Sequence, residues 1–216
     1  MNIEQARFNM IEQQIRPWDV LDTQILDLLL VVKREEFVPA AHKSLAFMDT
    51  EIPLTCDENM LSPKFEARIL QEAGVQKHEQ VLEIGAGSGY MAALLAHRAR
   101  HVTSVEVEAE LQALAQANLQ AAGIKNAEVV LGNGAQGWGT NQYDVIVISG
   151  SLPVLPDAFL QQLKIGGRLL VVIGEAPVMA AQMITRSAEI AFHTVTLFET
   201  AIKPLRGAVT PSHFTF

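Results

Sequence analysis

The sequence predicts an α/β domain in which helices cover both faces of a mostly parallel sheet. Strand-like and helical segments alternate regularly after residue 62, and the strand-like segments are continuously apolar. Parallel strands that are buried on both faces have this character. One apolar strand also runs directly into a glycine-rich turn and a helix, at residues 81–96. In such sheets, ligands bind at the carboxyl ends of the strands.

The glycine-rich turn is the most informative segment of the chain. It reads Val81-Leu-Glu-Ile-Gly-Ala-Gly-Ser-Gly-Tyr90, with glycine at alternate positions. Glycine permits a tight turn and leaves room for a ligand against the backbone. Glu106 ends the next predicted strand, where a ribose-binding carboxylate is expected. The order of strand, turn, helix, strand and acid predicts a doubly wound, Rossmann-like fold.

The glycine spacing separates the possible cofactors. A dinucleotide-binding turn has the pattern G-x-G-x-x-G, whereas this chain has G-x-G-x-G followed by Tyr90. No basic residue flanks the turn to meet a pyrophosphate. The turn and the acid after it resemble motif I of methyltransferases that use S-adenosyl-L-methionine (SAM). The residues predicted here to bind or order the cofactor are Glu83, Gly85, Ala86, Gly87, Gly89 and Glu106.

Composition limits the classes of function. With 216 residues, 49% of them hydrophobic, the chain is long enough for one well-buried α/β domain. The net charge of −8 argues against broad contact with nucleic acid or an anionic membrane. A single cysteine, Cys56, excludes an internal disulfide and fits a reducing compartment. Because no signal pattern or membrane-spanning apolar run is found, we expect a cytoplasmic protein.

We predict a single domain over residues 1–216. Residues 1–61 form a helical arm and a substrate loop, residues 62–207 the SAM-binding core, and residues 208–216 a tail. The apolar stripe of the arm is interrupted at Pro17. Predicted core helices are 63–73, 89–98, 108–122 and 156–164; predicted strands are 80–84, 102–106, 127–131, 143–149 and 168–173.

Smaller features complete the prediction of the fold. Segments 182–187 and 192–199 predict antiparallel strands at one edge of the sheet. Gly166-Gly167 predicts a turn before the last parallel strand. Lys33–Glu36 reads as a solvated helix end. Ser62 precedes a proline, an arrangement typical of a helix N-cap.

Several segments resemble one family, protein-L-isoaspartate O-methyltransferase, over roughly residues 7–207. Its GDGxxGW block is similar to Leu131–Trp138, which implies that Asn133 stands beside the adenine where the family has an aspartate. The resemblance implies a SAM-dependent enzyme that methylates a carboxylate of isomerised aspartyl residues in damaged proteins. The other similar segments are Met10–Ile15, Arg34–Pro39, Leu45–Leu54, Tyr143–Ile148, Leu163–Leu169 and Lys203–Gly207.

The active-site loop departs from the family pattern. The family reads like GQTISQP, whereas this chain has Asp57-Glu-Asn-Met-Leu-Ser-Pro63. With Pro63 as anchor, Asn59 replaces a threonine and Leu61 replaces the active-site serine. The candidate catalytic residues are therefore Asn59 and, if the loop is shifted by one residue, Ser62. A carboxylate acceptor, with a pKa of about 4, needs no general base at neutral pH.

Three functions remain open. The first is isoaspartyl repair. The second is a diverged paralogue that methylates another small molecule or protein group, which the loop at residues 55–62 favours. The third is a SAM-binding module with little turnover. We expect a protein or peptide substrate, or a small molecule, and no nucleic acid, membrane or metal; the sequence does not indicate an oligomeric state.

Overall fold

A computed structural model describes residues 2–210 of the chain. The strands are β1 (Ile52–Pro53), β2 (Asn59–Met60), β3 (Gln80–Ile84), β4 (His101–Glu106), β5 (Ala127–Leu131), β6 (Tyr143–Leu152), β7 (Leu163–Glu175), β8 (Val178–Ala188) and β9 (Ala191–Thr200). The helices are α1 (Ile3–Met10), α2 (Thr23–Val31), α3 (Arg34–Phe37), α4 (Pro63–Ala73), α5 (Tyr90–Arg98), α6 (Ala109–Ala121) and α7 (Asp157–Gln161). The part of the predicted tail that follows residue 210 lies outside the described residues.

The central sheet has seven strands in the order β5-β4-β3-β6-β7-β8-β9. Strands β3 to β7 pair in parallel, and β8 and β9 add antiparallel strands at one edge. The chain builds outward from β3 to β5 and then returns to place β6 on the other side of β3. The point where strand order reverses therefore lies between β3 and β6, where such sheets bind ligands. The predicted parallel sheet and its antiparallel edge are confirmed.

The strands are apolar on both faces, as predicted. Val81 and Val145 belong to the core that α1, α2, α4, α5 and α6 cover, whereas Leu82 and Ile146 face the other way. Consecutive strand residues point to opposite faces, so these neighbours must serve two different cores. The second core is covered by α7 through Phe159 and by the loop that follows β5.

The structure corrects three details of the prediction. The helix predicted at 156–164 ends at Gln161, because Leu163 is buried and pairs with Tyr143 at the start of β7. Gly166-Gly167 lies within β7, where the register with β6 jumps from Leu163 to Arg168. Residues 49–61 read as a loop in the sequence, because they combine Pro53 with mixed polar residues, but they contain the short antiparallel pair β1–β2.

The N-terminal arm is helical but irregular. Helix α1 continues into a π-helical turn at Ile11–Ile15 and a 3₁₀ turn at Arg16–Trp18. Pro17 has no backbone N–H, so a regular helix does not continue through it. A further 3₁₀ turn covers Ala40–Leu45. Within residues 2–210 no helix combines the length and apolar character needed to cross a membrane.

Candidate functional site

A cleft opens at the carboxyl ends of β3, β4 and β6. The glycine turn and Glu106 form one part of its wall, and Asn133 lines it after β5. The rest of the lining comes from the substrate loop (residues 55–62), through Glu58, Asn59 and Leu61, and from residues 203–206. A smaller cavity adjoins the cleft and shares Asn59 and Leu61 with it. The site therefore lies where the strand order reverses, as expected for this fold.

The glycine turn connects β3 to α5. Gly85 and Gly87 line the cleft and have φ angles of +92° and +52°, in the left-handed region where side chains are disfavoured. Gly89 shares this conformation, with a φ of +81°, and has a second reason to be glycine. A Cβ atom there would lie 3.0 Å from the carbonyl oxygen of Ala115, so Gly89 permits close packing of the turn against α6. Ala86 lines the smaller cavity.

Glu106 is buried at the end of β4 and fixes the shape of the turn. One carboxylate oxygen accepts a hydrogen bond from the backbone N–H of Gly87 at 2.9 Å. The other accepts from the N–H groups of Val107 at 2.9 Å and Glu108 at 3.1 Å. A carboxylate has about four lone-pair sites and these bonds use three of them, so the oxygen that is bonded to Gly87 can also accept a ligand hydroxyl in the cleft.

Glu83 has no exposed surface and joins three strands beneath the turn. Its carboxylate accepts hydrogen bonds from the hydroxyls of Ser104 at 2.6 Å and Ser149 at 3.2 Å, on β4 and β6. Burial raises the pKa of Glu83 to about 8. The side chain lines the smaller cavity but not the main cleft. These contacts indicate that Glu83 orders the glycine turn rather than contacting a cofactor directly.

Replacing Glu83 with glutamine is expected to stabilise the protein at pH 8 and to change little at pH 5. The folded pKa of about 8 lies above the ordinary value of 4.5, so folding takes up a proton between these values and stability falls as pH rises. Glu83→Gln removes that loss, worth about 2–4 kcal/mol at pH 8. Urea unfolding of both proteins at the two pH values measures it. Equal stability of the two proteins at pH 8 would contradict the assignment.

Asn133 lines the cleft on the side where the C-terminal segment crosses the sheet. Its side-chain oxygen accepts a hydrogen bond from the N–H of Ala135 at 3.0 Å, which leaves the amide group in a fixed orientation. A Cβ atom on Gly207 would approach the Asn133 side-chain nitrogen to 2.4 Å.

We call residues 203–207 the strap. Its backbone is fixed to β6, because Ser151 exchanges hydrogen bonds with Lys203 and Leu205, each 2.9 Å long.

The substrate loop brings one of the two candidate catalytic residues into the cleft. Asn59 lines it and donates a side-chain hydrogen bond to Glu51 at 3.0 Å. Leu61 also lines it and is only 8% exposed. Ser62 lines neither the cleft nor the smaller cavity. It occupies the N-cap position of α4, as predicted, but its side chain makes no capping hydrogen bond.

A buried ion pair behind the loop was not predicted. Arg34 has no exposed surface; its guanidinium contacts the carboxylate of Glu66 and donates to the carbonyl oxygen of Leu61 at 2.6 Å. It also lies 5.2 Å from the centre of the Tyr90 ring. Burial raises the pKa of Glu66 to about 7. For Arg34, the prediction of a solvated helix end is therefore wrong. Its charge is matched instead by Glu66, which stands among the apolar residues of α4.

Two cations on the strap meet acids of the substrate loop. Lys203 contacts the carbonyl oxygen of Asp57 and lies 3.0 Å from its carboxylate. Arg206 donates to Glu58 at 2.6 Å and to Glu108 at 2.8 Å, and contacts the carbonyl oxygen of Cys56. The sequence offered no signal for these contacts, because the partners are about 150 residues apart along the chain.

The profile of the protein-L-isoaspartate(D-aspartate) O-methyltransferase family matches residues 5–207. The chain belongs to this family. A protein-L-isoaspartate O-methyltransferase from Rhodopseudomonas palustris is 37% identical over 202 residues, which cover 92% of each chain. One from Herpetosiphon aurantiacus is 36% identical over 206 residues, or 95% of this chain and 92% of the relative. The predicted family and enzyme class, SAM-dependent methyltransferase, are confirmed.

Solved structures support the same fold. A Plasmodium falciparum structure described as a protein-L-isoaspartate O-methyltransferase has a TM-score of 0.79 at 18% identity, and covers 95% of this chain and 99% of its own. That protein was solved in complex with S-adenosyl-L-homocysteine. A second structure, named protein-L-isoaspartate O-methyltransferase, has a TM-score of 0.78 at 24% identity, over 93% of this chain and 66% of its own. The predicted Rossmann-like fold is confirmed.

Proposed function

We propose that this protein transfers a methyl group from SAM to a carboxylate of isomerised aspartyl residues in damaged proteins. The observation that carries the proposal is the cleft built by Gly85, Gly87 and Glu106 in a chain that matches the family over residues 5–207. We further propose that it acts in the cytoplasm as a repair enzyme, without nucleic-acid or membrane partners. The net charge of −8 supports this choice of partners.

The lining of the cleft fits the chemistry of SAM. Glu106 would accept a hydrogen bond from a ribose hydroxyl, and Asn133 would hydrogen-bond the adenine. Ile84, Val105 and Leu111 supply apolar surface for a flat ring. When bound, SAM supplies a methyl carbon attached to a positively charged sulfur, which keeps the electron pair of the broken S–C bond.

The protein's task in this reaction is to position the acceptor. A carboxylate is ionised at neutral pH, so no side chain has to remove a proton. Orientation of the reacting groups can supply about 7–11 kcal/mol of the barrier reduction. Glu58, Asn59 and Leu61 of the loop line the cleft, and of these Asn59 has an uncharged side chain with N–H donors. We propose that its amide orients the acceptor. Ser62 would share this role only if residues 59–62 shifted by one position.

Transfer of labelled methyl from SAM to an isoaspartyl peptide tests the proposal. The matched peptide with ordinary aspartate is the control, and SAM binding is measured in parallel by calorimetry. Transfer to the isoaspartyl peptide alone would support repair. SAM binding without transfer would contradict isoaspartyl repair and favour the SAM-binding module.

A second candidate is methylation of another acceptor. The observation that favours it is Leu61, which lines the cleft and has no group that can hydrogen-bond a carboxylate. A screen of small-molecule and peptide acceptors with labelled SAM separates the candidates. Transfer to another acceptor, with none to the isoaspartyl peptide, would identify a diverged paralogue.

Replacing Leu61 with serine is expected to raise kcat/KM for the isoaspartyl peptide by about tenfold, because a hydrogen bond to a charged group contributes about 1.5–3 kcal/mol. Leu61→Ala is the matched control, since it removes the leucine side chain without adding a hydroxyl. Steady-state kinetics of the three proteins measure the effect. An equal gain in both variants would assign it to added space, and no gain in Leu61→Ser would contradict the alignment through Pro63.

A further inference from the structure

The cleft is lined by two cationic side chains of the described chain, Lys203 and Arg206. Both belong to the strap, whose backbone hydrogen bonds to Ser151 hold it alongside the end of β6. A methyl acceptor that carries a carboxylate needs an opposite charge, since a carboxylate taken out of water without one is strongly disfavoured. Lys203 and Arg206 are therefore the two candidates for binding the acceptor carboxylate.

The charge of Arg206 is already matched by two carboxylates of the protein. Its guanidinium donates to Glu58 and Glu108 and contacts the carbonyl oxygen of Cys56. These three contacts join the substrate loop, the strap and the segment before α6. Because Glu58 and Glu108 together outweigh the single positive charge of Arg206, this residue offers little attraction to the carboxylate of a substrate.

Lys203 is different, because its partners all come from one residue. Its ammonium group contacts the carbonyl oxygen and the carboxylate of Asp57. The Asp57 side chain is 93% exposed and that of Lys203 is 36% exposed. An ion pair in such contact with water is weak and is readily exchanged for another carboxylate.

We propose that Lys203 is the specificity-determining residue that binds the acceptor carboxylate, and that Asp57 pairs with the same ammonium group until the substrate displaces it. This inference rests on the proposed function. Methylation forms a bond between a carboxylate oxygen and the methyl carbon of SAM and breaks the bond from that carbon to sulfur, which keeps the electron pair. It moves no proton and leaves a neutral ester. The ester no longer attracts Lys203, so Asp57 pairs with it again and the product is released.

Two substitutions in the full-length protein test the inference through KM for the isoaspartyl peptide. Asp57→Asn is expected to lower KM about two- to fivefold, the scale of an exposed ion pair. Asparagine tolerates the φ of +56° at this position as aspartate does, so the loop is preserved. Lys203→Gln is expected to raise KM about tenfold, because a charge-assisted hydrogen bond to the acceptor is lost.

The double variant and matched controls sharpen the test. Asp57→Asn combined with Lys203→Gln is expected to have the KM of Lys203→Gln alone, because Asp57 competes only while Lys203 is present. Asp27→Asn and Lys125→Gln make the same chemical changes at exposed positions outside the cleft and are expected to leave KM unchanged. Calorimetry is expected to give the same SAM affinity for all variants.

The outcomes separate this inference from the proposed function. If the wild-type protein does not methylate the peptide, both are overturned. If it does, and KM is unchanged in Asp57→Asn and in Lys203→Gln, only the assignment of Lys203 fails. A higher KM in Asp57→Asn would also overturn it, because Asp57 would then support the loop rather than compete with the substrate.

Discussion

Gly85→Val is expected to lower the affinity for SAM by at least about 100-fold, the effect of strain and a steric conflict that together exceed about 3 kcal/mol. The φ of +92° at Gly85 is a conformation that a β-branched residue does not adopt without strain. A Cβ atom there would lie 3.3 Å from the Leu205 side chain and 3.6 Å from that of Ser149. Valine would therefore disturb the turn and push the strap away from the cleft. Calorimetric titration with SAM measures the loss.

Gly123→Val is the matched control for backbone strain. Gly123 follows α6 with a φ of +71°, and a Cβ atom there meets nothing within 4 Å. The substitution imposes a similar backbone strain without touching the cleft. We expect a lower melting temperature and an unchanged affinity for SAM. A Gly85→Val protein that binds SAM as the wild type does would refute the assignment of this turn to the cofactor.

Arg34→Met is expected to reduce the free energy of unfolding at pH 8 by about 3–5 kcal/mol, the usual effect of removing one partner of a buried ion pair. The substitution leaves Glu66 buried without its cation and the Leu61 carbonyl without its donor. With Arg34 present, Glu66 has a pKa of about 7, and without it burial raises that pKa further. Glu66 is then protonated at pH 5.5, so the loss is expected to be smaller there. Urea unfolding at both pH values measures it.

The double variant Arg34→Met, Glu66→Leu separates charge from packing. It removes both ions and fills the space with apolar side chains, which is often neutral or stabilising. We expect it to recover most of the stability at pH 8 and to lose the part of the pH dependence that comes from Glu66. A change of less than about 1 kcal/mol in the free energy of unfolding of Arg34→Met would contradict the idea that the Arg34–Glu66 pair stabilises the substrate loop.

Short-range patterns in the sequence were sufficient to predict the sheet. The segment Val81–Ile84 is apolar, leads into glycine and is followed by a helix, and all three features act within a few residues. Glu106 was found in the same way, since it ends the neighbouring parallel strand. These features follow from strand burial and turn geometry, which are local properties.

The contacts that surround the site could not be predicted in this way. Arg34 reads as part of a charged helix end, and its burial becomes apparent only when Glu66, 32 residues away, faces it. The choice between Asn59 and Ser62 depended on the register of an extended segment. Side chains alternate along such a segment, and Asn59 and Leu61 face the cleft while Ser62 does not.

The strap closes the cleft only after the chain has passed through the whole sheet. Lys203 meets Asp57 across a separation of 146 residues, and Leu205 lies against Gly150 at the end of β6. Contacts between residues this far apart in sequence have the largest entropic cost of loop closure, so they tend to form late in folding. A chain still emerging from the ribosome, or one cut before residue 203, would therefore expose an open, incomplete site. The cleft thus acquires its last wall only when the strap at the C-terminal end of the fold is in place.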